Sequence, residues 1–184
     1  MNDMNEKLPN GWPIPKGSHV IVFCTCTLFF WFYLITDSDG YAGILDNFNL
    51  IIHEAGHMIF MPFGRTLHFW GGTLLQCLVP LAFLFSFWNT KQPAGVAFSG
   101  IWLGQNLLNI SRYIADAKDM VLPLLGGGIH DWNTILGSMG LVRHCKLIGG
   151  VVFFLGWAVM LASAIWYCLR WWNYSTSSTR EGDI

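Results

Sequence analysis

The chain has 184 residues, of which 53% are hydrophobic and only 11% charged, with a net charge of -1 and a mean hydropathy of +0.44. Soluble domains carry roughly 25% charged residues, so this composition excludes an ordinary water-soluble domain. The near-neutral balance also argues against nucleic acid or another polyanion as a partner.

Apolar runs long enough to cross a bilayer, which takes about 20 residues, recur along the sequence. A polar segment over residues 1–18 precedes the first, and neither its length nor the following run fits a cleavable signal. The predicted spans run from about His19 to Thr36, Ile44 to Pro62, Trp70 to Trp88, Ala94 to Ile114 and Leu147 to Trp171. The acidic Asp37-Ser38-Asp39-Gly40 links the first two, and Lys91-Gln92-Pro93 breaks the chain before the fourth. The connection from Asp116 to Lys146 contains Leu122-Pro123-Leu124-Leu125-Gly126-Gly127-Gly128, too apolar for a solvent loop and too broken for a helix. Non-helical backbone at membrane depth survives only where protein or a polar cavity covers it. A segment dipping back toward the bundle is therefore expected, followed by a short helix from about Asp131 to Met139.

The expected fold is all-α: an integral membrane bundle of about five transmembrane helices over residues 19–172, with a re-entrant segment before the last span and a disordered Ser/Thr-rich tail over 173–184. Alternating the spans with the amino terminus inside places seven Lys and Arg on the inner side and three (Lys91, Arg170, Arg180) on the outer. The positive-inside rule then puts the amino terminus in the cytoplasm. The five cysteines, Cys24, Cys26, Cys77, Cys145 and Cys168, include no C-x-x-C pair and read as packing residues.

Span two carries His53-Glu54-Ala55-Gly56-His57. Histidines four apart share one helix face and can converge on a single ion, and zinc is the ion that this pattern suits. Glu54 is set to act as general base on a metal-activated water. An acid inside a span costs at least about 2.5–3.5 kcal/mol on insertion scales, and no Lys or Arg lies in the same run to offset it. Asp46 and Asn49 precede the histidines on that face. Asp46 reads as a solvated cap near the span end, Asn49 as either a helix-helix hydrogen bond or a support for the metal ligands.

Two histidines need a further protein ligand. The candidates are His130, Asp131 and Asp116, with His130 first because the preceding triglycine lets the backbone thread toward the site. Asp131 also suits the cap of the helix it begins. In span four, Asn106, Asn109, Tyr113 and Asp116 follow an i, i+3, i+7, i+10 spacing on one face. They read either as interhelical glue or as a site in which Asn106 and Asn109 hold an extended substrate backbone.

His53-Glu54-Ala55-Gly56-His57, followed by Pro62-Phe63-Gly64 and Gly71-Gly72, resembles the site-2 protease group of intramembrane zinc metalloproteases. From Asn49 to about Leu141, with Gln105-Asn106, Tyr113, Asp116, Leu122-Pro123 and His130-Asp131-Trp132, the chain looks like small bacterial membrane proteins classed as peptidase M50B-like. The resemblance implies zinc held by His53 and His57, Glu54 as catalytic base, a membrane-protein substrate and residence in a bacterial inner membrane. The L-D-G or N-x-x-P-D-G motif that usually supplies that group's third ligand does not follow His57. The expected activity is zinc-dependent intramembrane peptide hydrolysis. A membrane metal-binding protein without peptidase activity and a zinc hydrolase of lipids or small molecules are the alternatives.

Overall fold

A computed structural model describes residues 11–36, 43–123 and 129–181, with side chains described as far as Trp172. The described residues form six α-helices: α1 (Gly17–Thr36), α2 (Ile44–Phe60), α3 (Arg65–Asn89), α4 (Pro93–Asp116), α5 (Asp131–Ser138) and α6 (Cys145–Glu181). Short 3-10 turns at Met61–Phe63 and Val142–His144 lead into α3 and α6. Among the described residues, three helices are long and apolar enough to cross a membrane: α1, α3 and α6.

Local chemistry explains the boundaries. Gly64 takes a φ of 102°, in the left-handed region that favours glycine, and the chain reverses there from α2 into α3. This lets α3 begin at Arg65, a turn earlier than the apolar run suggests. Pro93 occupies the first position of α4, where its missing N–H costs nothing. α6 continues to Glu181, well past the expected start of a disordered tail at Asn173. Once a helix is nucleated, each added residue needs only propagation. The expected dip falls largely on residues 124–128, and the acidic link on residues 37–40; both lie outside the described residues.

Polarity is distributed inside out. Phe29, Phe32, Ile51, Phe85, Leu147 and Phe154 are exposed, whereas Asp46, Asn49, His53, Gln76, Gln105, Asp116, His130 and Asp131 are buried. Apolar side chains facing outward, with amides and acids turned inward, suit a lipid surround.

Small residues bring the long helices together. A Cβ on Gly104 would strike the Gly156 carbonyl and the Met160 backbone, so α4 and α6 touch backbone to backbone. Gly100 stands beside Ser163 and Gly149 beside Ser111, which makes α4 and α6 antiparallel. Gly95 meets Phe87 and Asn109 meets Gln76, so α3 and α4 are antiparallel too.

The first helix departs from the expected alternation. Val20 packs with Ala97 and Tyr167, and Gly17 lies against Trp171. The start of α1 therefore shares one end of the bundle with the start of α4 and the Tyr167–Trp171 stretch of α6. Five alternating spans would put the start of α1 at the opposite end. The reason lies in α2. It begins beside Gln105 and Asn109, past the middle of α4, and ends where α3 starts. At 17 residues it is about 25 Å long, and it occupies only the end of the bundle from which α3 departs.

Candidate metal centre

α2 presents His53, Glu54 and His57 where α3, α4 and α5 converge. Close approach to α3 is possible because the contact is made of glycine. A Cβ on Gly56 would strike the Gly71 backbone, and one on Gly71 the Gly56 carbonyl. A Cβ on Gly72 would collide with the His53 imidazole itself. The small residues of the motif thus admit α3, and Gly72 leaves the volume in which the His53 ring sits.

Both rings are fixed in one tautomer by their outer nitrogens. His57 Nδ1–H donates to the His68 carbonyl at 2.7 Å, and His53 Nδ1 meets Gln76 Oε1 at 3.1 Å. Each acceptor is an oxygen, so Nδ1 carries the proton and a neutral ring turns its Nε2 lone pair inward. The two Nε2 atoms point at the same oxygen, Asp131 Oδ2, each at 3.2 Å.

His53, His57 and Asp131 thereby form a group that could hold a metal ion, their ligand atoms within 4.8 Å of one another. Two lone pairs and a carboxylate converging in a buried space repel unless a cation lies between them. Ligand atoms bound at about 2.0–2.1 Å in tetrahedral arrangement stand about 3.3 Å apart, close to the 3.2 Å that separates each Nε2 from Asp131 Oδ2. The residues fit a small divalent cation.

Of the three candidates for the further ligand, Asp131 is the one beside the histidines, and His130, placed first among them, takes the helix cap. His130 is the helix cap: its Nδ1 accepts the Asn133 N–H at 3.2 Å at the start of α5. Its ring stacks on Tyr113 with centroids 4.2 Å apart. His130 Nε2 approaches Asp116 Oδ2 at 3.3 Å, without the alignment of a hydrogen bond. Asp116 is occupied in turn, accepting the Val121 and Leu122 N–H groups at 3.0 and 3.1 Å. Neither His130 nor Asp116 joins the two histidines of α2; Asp131 does. Tyr113 secures it, its hydroxyl accepting the Asp131 N–H at 3.1 Å and lying 3.3 Å from Oδ2.

A cavity of about 500 Å³ opens beside this group, lined by Glu54, His57, Asp131, Tyr113, Asn109 and Arg112 among others. Its volume lies within the range of small-molecule sites. Leu122, Pro123 and Ile129 line it from the connection before α5. Half-buried Glu54 thus faces the same space as the metal-ligand candidates.

Of the two asparagines expected to hold substrate, Asn109 lines the cavity but is engaged with Gln76 and Asp46. Asn106 is fully buried, lies outside the cavity lining and finds no hydrogen-bond partner among the described residues. Asp46 is 3% exposed, not a solvated cap, and accepts from Gln105 and Asn109. Gln76 went unread in the sequence. The signal available was a lone amide in an otherwise uncharged span.

Compared with protein-family models, with curated proteins and with solved structures, the chain matches none.

Proposed function

We propose that this chain is a zinc-dependent intramembrane peptidase, acting on a membrane protein whose span has unwound beside α2. The observation that carries the reading is the convergence of His53 Nε2 and His57 Nε2 on Asp131 Oδ2, each at 3.2 Å, beside a cavity that Glu54 lines. Two imidazoles and one carboxylate with space on the fourth side are the donor set of a catalytic zinc site rather than a closed structural one.

His53, His57 and Asp131 would hold the ion, with Gln76, the His68 carbonyl and Tyr113 orienting them. A divalent cation there would supply a Lewis acid that acidifies a water and polarises a carbonyl. Glu54, on the cavity wall, takes a proton from the attacking water at a carboxylate oxygen and returns it to the departing amine. The apolar wall of Leu50, Phe69, Leu122, Pro123 and Ile129 covers an extended segment and limits bulk water. In this reading α1, α3, α4 and α6 cross the bilayer, and α2 is inserted from the end at which α3 begins.

The test uses the full chain purified in detergent. One equivalent of zinc is expected, retained in Glu54→Gln while cleavage of a reconstituted membrane-spanning peptide is lost. Protein that takes up no divalent metal would end the proposal. Unchanged hydrolysis in Glu54→Gln would remove the catalytic role of Glu54, and cleavage of lipid esters in place of peptide would move the activity to a lipid hydrolase.

A further inference from the structure

Seven buried or half-buried side chains on α2, α3 and α4 form a continuous hydrogen-bonded chain that ends at a candidate metal ligand. From His53, Nδ1–H donates to Gln76 Oε1 at 3.1 Å. Gln76 Nε2 donates to Asn109 Oδ1 at 3.1 Å, and Asn109 Nδ2 donates to Asp46 Oδ1 at 3.2 Å. A second arm reaches the same oxygen. Trp102 Nε1 donates to Asn49 Oδ1 at 2.9 Å, Asn49 Nδ2 to Gln105 Oε1 at 2.7 Å, and Gln105 Nε2 to Asp46 Oδ1.

The polarity of this chain is determined by its ends. An amide can present either its oxygen or its NH₂ to a neighbour, so amides alone would be free to flip. A carboxylate oxygen, in contrast, accepts, and an indole N–H only donates. With Asp46 accepting, Asn109 must turn its NH₂ to it and its oxygen to Gln76. Gln76 must then turn its NH₂ to Asn109 and its oxygen to His53. His53 is left with its proton on Nδ1, and the neutral ring then carries its lone pair on Nε2. Any other assignment sets two donors or two acceptors face to face in a buried site, at about 1–3 kcal/mol for each unsatisfied group. The Trp102 arm obeys the same rule and orients Gln105 on the other side of Asp46.

We propose that Asp46 is a positioning residue which, through the amides of Asn109 and Gln76, sets the tautomer in which His53 can bind metal. It does so without touching His53, whose Nδ1 meets the Gln76 amide. The inference rests on the metal-centre reading and adds a function for a residue that stands outside the His-Glu-x-x-His helix segment.

The experiment measures zinc and cobalt affinity of the full-length protein in detergent, by competition with a chelator, together with the ¹⁵N shifts of the His53 ring in metal-free protein. Asp46→Asn allows the arm to reverse, and is expected to weaken metal affinity about 10–100-fold and to give a mixture of His53 tautomers. Gln76→Glu added to Asp46→Asn places an acceptor directly against His53 Nδ1, and is expected to restore affinity to within about threefold of wild type. That restoration separates tautomer control from a general loss of packing, which a second substitution would not repair. Equal affinity in wild type and Asp46→Asn, or failure of the double variant to recover, overturns the proposal while leaving the metal centre intact. Wild-type protein that binds neither metal overturns the metal centre itself. In that event the ring shifts decide this inference, which fails if His53 keeps its Nδ1 proton equally in both proteins.

Discussion

His53 Nε2 and Asp131 Oδ2 stand 3.2 Å apart although 78 positions separate them in the chain. α5 makes this contact possible: His130 caps it, so that Asp131, the first helical residue, faces α2. The pairing predicts a clear division between two adjacent residues. Asp131→Ala should retain less than about a tenth of the wild-type zinc on metal analysis, because only two nitrogen ligands remain. His130→Ala should keep about one equivalent and lose about 1 kcal/mol of stability, as expected on losing a helix cap. The opposite pattern, with zinc kept in Asp131→Ala and lost in His130→Ala, would return the third ligand to His130.

Tyr113 gives a second, smaller handle on the same carboxylate. Its hydroxyl receives the Asp131 N–H and approaches Oδ2, while its ring supports His130. Tyr113→Phe keeps the stack and removes the hydroxyl. Loss of bonds of this kind costs about 1–2 kcal/mol, so metal affinity should fall about 5–30-fold with little change in fold by circular dichroism. An unchanged affinity would mean that the α5 backbone alone positions Asp131.

How much of this could be read from the chain differs from helix to helix. The His-Glu-x-x-His segment was legible because two imidazoles at i and i+4 have few uses inside an apolar run. The long apolar helices α1, α3 and α6 were legible for the same reason of composition. The stripe on α4 was legible in kind, with one member misplaced: Gln105 takes the part read for Asn106. Asn106, Asn109, Tyr113 and Asp116 satisfy a helical period, yet the residues that turn toward α2 and the cavity are Gln105, Asn109 and Tyr113. Periodicity identifies a face only to within about one residue, and α4 is covered on two sides, by α3 and by α6. Asp46 was misread because its neighbour in space, Gln105, lies 59 positions away. Caps and ligands use the same side chains, so His130 and Asp131 could not be told apart until the start of α5 was known.

Glycine packing predicts which small-residue changes matter. An added Cβ at Gly72 meets the His53 ring, whereas one at Gly150 meets nothing within 4 Å. Overpacking of this kind costs about 1–3 kcal/mol. Gly72→Ala should therefore lower both thermal stability and zinc affinity. Gly150→Ala should be neutral or slightly stabilising, since alanine is the better helix former by about 1 kcal/mol. If Gly72→Ala binds zinc as the wild type does, the His53 ring has room that this geometry denies it.

The position of α1 yields a prediction about topology. The start of α1 lies beside α6 where that helix passes Tyr167 and Trp171, as the contacts of Val20 with Tyr167 and of Gly17 with Trp171 require. Regrouped by the ends that the helices share, Lys16, Lys91 and Arg170 fall at one end, and Arg65, Arg112, Lys118, Arg143 and Lys146 at the other. Among these described side chains the division is three to five, so the seven-to-three count that followed from five alternating spans no longer applies. Reporter fusions at the two termini should give the same sidedness in a membrane; five alternating spans would give opposite results. Cys24 and Cys168 add an internal check, with their sulfurs 3.5 Å apart on α1 and α6. Mild oxidation in the membrane should link them, seen as a mobility shift that reductant reverses and that Cys24→Ser abolishes. Opposite-sided termini together with no crosslink would displace α1 from this position in the bundle. The metal centre, built from α2 to α5, would be untouched by that result.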